Sequence, residues 1–73
     1  MISKDDKALI ICKLKEAEWQ YLDSPDGEYK TKMIWFEHGC RAMASLFLTK
    51  GEIDGIVNEM KEAFQEYLRE KEN

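Results

Sequence analysis

Glu37, His38 and Cys40 place three metal-binding residue types within four positions, and Cys12 adds a second thiol. A tetrahedral zinc site needs four such ligands converging on one point. On a helix, at about 100° per residue, His38 points about 160° away from Cys40, so the two cannot share an ion there. With one His and two Cys in the chain, carboxylates or water would have to complete any site. Cys40 is therefore expected in the core and His38 in solvent, with no metal and no cofactor. The same geometry argues against covalent catalysis, because a Cys or Ser nucleophile needs a hydrogen-bonded base that is itself oriented. The single histidine lies on the wrong face for either cysteine, and no catalytic residue is expected.

Asp23, Asp26 and Glu28 gather three carboxylates beside Gly27, which invites comparison with a calcium loop. Such a loop needs alternating oxygen ligands closed by a bidentate glutamate at a fixed distance. Pro25 interrupts that register and the closing glutamate is absent. Glu37 and Arg41 are an i, i+4 pair of the kind that adds a few tenths of a kcal/mol on a solvated helix face.

The charge balance narrows the partners. Eleven Lys and Arg against fifteen Asp and Glu leave a net charge of −4 over 73 residues. Phosphate-backbone binding gains affinity from basic side chains, so nucleic acid is not the expected partner. A helix-turn-helix reader built from the second and third helices would present Glu59, Glu62, Glu66 and Glu70 outward against Lys61 and Arg69, a field that repels DNA. The converse, an acidic surface imitating nucleic acid, has only a modest charge behind it. No apolar run approaches the roughly 20 residues that span a bilayer. Two isolated cysteines without a signal-peptide pattern suggest reduced thiols in a soluble cytoplasmic protein.

The apolar periodicity supplies the elements. From Glu28 to Leu48, Tyr29, Met33, Phe36, Cys40, Met43 and Phe47 are spaced by four and three, and Trp35, Gly39, Ala42 and Leu46 repeat the spacing beside them. Two adjacent apolar rows cover more of a helix than one neighbour can bury. This second helix, about residues 28–48, is therefore expected at the centre. The first, about 5–22, carries Ile10, Ile11, Leu14, Ala17, Tyr21 and Leu22 on its main stripe, with Ser3 or Asp5 as its cap. The third, about 50–70, carries Ile53, Ile56, Val57, Met60, Ala63, Phe64, Tyr67 and Leu68 on one face and polar residues on the other. Thr49 and Glu52 have the spacing of a reciprocal capping box.

Asp23-Ser24-Pro25-Asp26-Gly27 is a chain reversal by residue type. It could close a β-hairpin between residues 19–23 and 29–36, but strand alternation would mix polar and apolar residues on both faces. The helical template sorts them and continues to Phe47. The expected architecture is one all-α domain of three helices, with helices 2 and 3 an antiparallel hairpin through their short connection. Its small core leaves room for completion by dimerisation.

One apolar group remains. Ala8, Leu9, Cys12 and Trp19 fall behind the main stripe of helix 1, where a peripheral helix should meet water. Trp19 could simply fold over the core edge, or the four could form a contact surface. The sequence therefore predicts a small acidic, non-enzymatic protein–protein interaction or regulatory module, acting through the outer face of helix 1 as a homodimer or on another protein. The alternative from a different class is a ligand-binding helical oligomer whose pocket is lined by the aromatic and Met side chains of helix 2.

Overall fold

A computed structural model describes residues 2–72 as three helices, α1 (Lys4–Leu22), α2 (Glu28–Ala44) and α3 (Lys50–Glu72). The protein is all-α, and residues 19–36 form helix, turn and helix. Each helix starts where local chemistry allows. Ser3 caps α1, its Oγ accepting from the Asp6 N–H at 3.1 Å. At α3, the Thr49 N–H donates to the Glu52 carboxylate at 3.0 Å while the Glu52 N–H donates to Thr49 Oγ1 at 3.1 Å. This reciprocal pair satisfies two backbone donors that the first turn of a helix leaves free.

The reversal after α1 is closed by backbone and side chain together. The Asp23 N–H returns to the Trp19 carbonyl and Ser24 Oγ donates to the Gln20 carbonyl. Gly27 then takes φ = 119°, a conformation that a side chain would disfavour, and the Thr31 N–H closes the first turn of α2 on its carbonyl. The α-helix of α2 stops at Ala44, four residues before the expected end. Beyond it, Leu46 and Phe47 donate back three residues, to Met43 and Ala44. That tighter winding swings Leu48 into the core.

The central helix is α1, not α2. It packs on both of the others, whereas α2 and α3 barely meet. The core joins Leu14 of α1 to Ala44 and Leu48 from the second helical segment and to Ile53, Ile56 and Val57 of α3, with Ile10, Ile11 and Cys40 packed at its edge. The expected close hairpin of helices 2 and 3 is replaced by two helices seated separately on a shared wall. Surface pairs Lys7–Glu52 (3.0 Å) and Lys15–Glu59 (3.3 Å) also link α1 to α3, each contributing little in water.

The outline is elongated, 44 × 27 × 19 Å, with a radius of gyration of 13.3 Å. A compact 73-residue chain would have about 11 Å. At the α3 end Phe64 is the last buried of the described residues, and residues 65–72 are exposed.

Candidate functional site

The four residues singled out on the first helix differ in their surroundings. Ala8, Leu9 and Cys12 are exposed. Trp19 is half-buried, its ring edge-on to Phe64 at 5.2 Å and to Tyr67 at 5.4 Å between centroids. Such edge-to-face contacts suit the charge distribution of aromatic rings. Trp19 thus closes the α1–α3 seam and leaves Leu9 as the one large apolar side chain exposed on that part of α1.

The extensive apolar surface lies on the second helical segment. Tyr29, Trp35, Phe36, Met43, Leu46 and Phe47 are between 45% and 75% exposed. Gly39 and Ala42 are exposed among them. These are most of the two periodic rows of the sequence, turned outward; Met33 and Cys40 of the first row turn in instead. The inward row contains Met33, Ile34 and Cys40, all half-buried, the buried Glu37 and Ala44, and Arg41.

That inward row carries an arrangement the sequence did not announce. Glu37 is 1% exposed and Glu18 of α1 is 0% exposed, so the Glu37–Arg41 pair, expected on a solvated helix face, instead joins a charged cluster whose two carboxylates are buried. Arg41 Nε bonds the Glu37 carboxylate, and its guanidinium stands 3.6 Å from Glu18. His38, exposed at the rim, approaches Glu37 at 3.6 Å. Both Glu18 oxygens and one Glu37 oxygen are buried without a hydrogen-bond partner among the described residues. Two carboxylates cannot donate to each other, so these oxygens are unpartnered as charged groups and Glu18 and Glu37 can hydrogen-bond only when one of them carries a proton. Burial first, then the hydrogen bond and charge of Glu37, push the Glu18 carboxyl up to about 7, against the opposing pull of Arg41 and Lys61.

Burial, with Glu37 nearby, also raises the Cys40 thiol above its ordinary value, which reduces its thiolate fraction. Both cysteines are free thiols. Among the described residues, no three His, Cys, Asp or Glu side chains gather as a cation cage. No helix there is long and apolar enough to cross a membrane.

A cleft of about 200 Å³ between α1 and α2 is lined by Lys13, Glu16, Ala17, Gln20, Phe36 and Cys40. Phe36 is the one aromatic side chain of α2 that reaches it. Comparison with protein-family models, curated proteins and solved structures returns no match.

Proposed function

We propose that the protein is a non-enzymatic protein–protein interaction module whose contact surface is the outward face of α2. The observation that carries this reading is the inversion of α2. Its large apolar side chains face water while its inward face holds Glu37 and Arg41. Contiguous apolar patches of this extent on a small domain are characteristic of contact surfaces, and exposed Trp, Phe and Met are the side chains that anchor them. The face is a different one from the outer side of α1, because Trp19 is engaged with α3. The ligand-binding alternative has less behind it: among the described residues, Phe36 is the aromatic side chain of α2 that lines a cleft, and that cleft, at about 200 Å³, is smaller than the roughly 300 Å³ at which small-molecule pockets begin.

Charging the face tests the reading. At a concentration where the wild type is monomeric, replacing Met43 and Leu46 by Glu should leave the melting temperature nearly unchanged, because both side chains are mostly exposed. The doubly charged variant should lose every protein, including a tagged second copy, that the wild type retains under the same conditions. Equal retention by both would show that contact occurs elsewhere.

A further inference from the structure

The occupant of this face follows from its symmetry and its size. We infer that the outward face of α2 binds a second copy of the same chain, as an antiparallel two-fold helix pair centred on Gly39. This rests on the reading of α2 as the contact surface and names its partner.

Gly39 is the first ground. In the middle of a helix, glycine is about 1 kcal/mol less favourable than alanine. A Cβ built at Gly39 meets nothing within 4 Å, so packing within one chain gives no reason for its absence. A second helix crossing at this point does, because small residues let two helix backbones approach closely. Trp35 precedes Gly39 by four residues and Met43 follows by four, so all three fall on one ridge. A two-fold axis at Gly39 that reverses the helix sets Trp35 of each copy across from the partner's Met43. The thioether then meets the indole, a favourable sulfur–aromatic contact. A parallel pair would instead stack Trp35 on Trp35 and align the two helix dipoles unfavourably.

Charge is the second ground. Between Met33 and Thr49 the only Asp, Glu, Lys or Arg residues are Glu37 and Arg41, and both belong to the inward row. A self-contact must be complementary to itself, and the uncharged stretch of this face from Trp35 to Phe47 satisfies this; the exposed Lys32 at its end falls, under a two-fold axis at Gly39, opposite the partner's Leu46 and not opposite its own copy.

Area is the third. The accessible surface is 5548 Å², whereas a compact monomer of this mass exposes about 4,700 Å². The overhanging end of α3 accounts for part of the difference. The exposed apolar residues of α2 and the turn after it amount to roughly 700 Å², close to the ~800 Å² that each partner contributes to a stable interface.

Sedimentation equilibrium from micromolar to millimolar concentration, with three chains, decides the matter. The wild type should approach twice its 8.6 kDa chain mass. Gly39→Leu should raise the dissociation constant on the order of 10–100-fold, as expected for overpacking a close contact, with helix content preserved because the monomer has open space there. Gly55→Leu is the control: Gly55 is also exposed and also has nothing within 4 Å of an added Cβ, but it lies on α3, and its variant should dimerise as the wild type does. A wild type that stays monomeric at millimolar concentration overturns the second copy while leaving the α2 face available to a different protein. A dimer indifferent to Gly39→Leu, or equally broken by Gly55→Leu, overturns both the pairing and the assignment of the surface.

Discussion

Glu18 is fully buried, with both carboxylate oxygens unpartnered among the described residues, and its protonation state is coupled to folding. Its carboxyl rises from 4.5 to about 7 in the folded chain, chiefly through burial and then through Glu37. The folded state therefore holds the proton more tightly than the unfolded state. The stabilisation from that proton is fully present below pH 4.5 and is lost as pH rises through about 7. One such group changes stability by at most about 1.4 kcal/mol per pH unit. Glu18→Gln keeps a neutral hydrogen-bond donor toward Glu37 and removes the titration. Denaturation between pH 5 and 8 should show the wild type losing stability across that window and the Gln variant changing far less. Both chains should carry His38→Gln, which removes the only imidazole. Parallel pH profiles for the two would disprove the linkage. The cluster was hard to see in the sequence, although Glu18 follows Leu14 by four and Glu37 precedes Ala44 by seven, spacings that put each carboxylate on a core row. Nothing in the spacing says which face of α2 turns inward, and the apolar count pointed to the other.

At the scale of the element, what was legible depended on how local its cause was. The three helices, the reversal at residues 23–27 and the capping box of α3 follow from residue chemistry within a few positions, and all are present. Which helix lies in the middle depends on packing between segments distant in the chain, and apolar content misassigned it. The wide apolar arc of α2 predicts burial on two sides, but α1 occupies only the Glu37 and Ala44 side. The tighter winding after Ala44 likewise answers to the burial of Leu48, not to a local breaker. The capping box carries an element-scale prediction. The Glu52 carboxylate is held below its ordinary range, first by the Thr49 N–H and then by Lys7. Thr49→Ala removes the hydroxyl partner of the Glu52 N–H and should lower stability by about 1 kcal/mol, read as a lower urea midpoint with unchanged slope.

For the whole molecule, the shared wall makes the two helix–helix seams interdependent. A 73-residue domain has a stability of only about 4–11 kcal/mol, and Leu14 is the α1 residue common to both sides of its core. Truncating a buried leucine typically removes 2–5 kcal/mol. Leu14→Ala should therefore loosen α2 and α3 together, and its unfolding by helix signal and by Trp19 fluorescence should coincide at a lower temperature; measuring Trp19 alone calls for a Trp35→Phe background, since the chain has two tryptophans. Two separated transitions would mean that α1–α2 and α1–α3 fold as independent units and that α1 is not a common wall. Pairing through α2 adds a second signature. Association that occurs only in the folded state raises the melting temperature with protein concentration, so the Leu14→Ala chain should recover part of its lost stability as concentration rises. Adding Gly39→Leu should move that recovery to concentrations on the order of 10–100-fold higher, because it weakens the contact while leaving the core packing as it was.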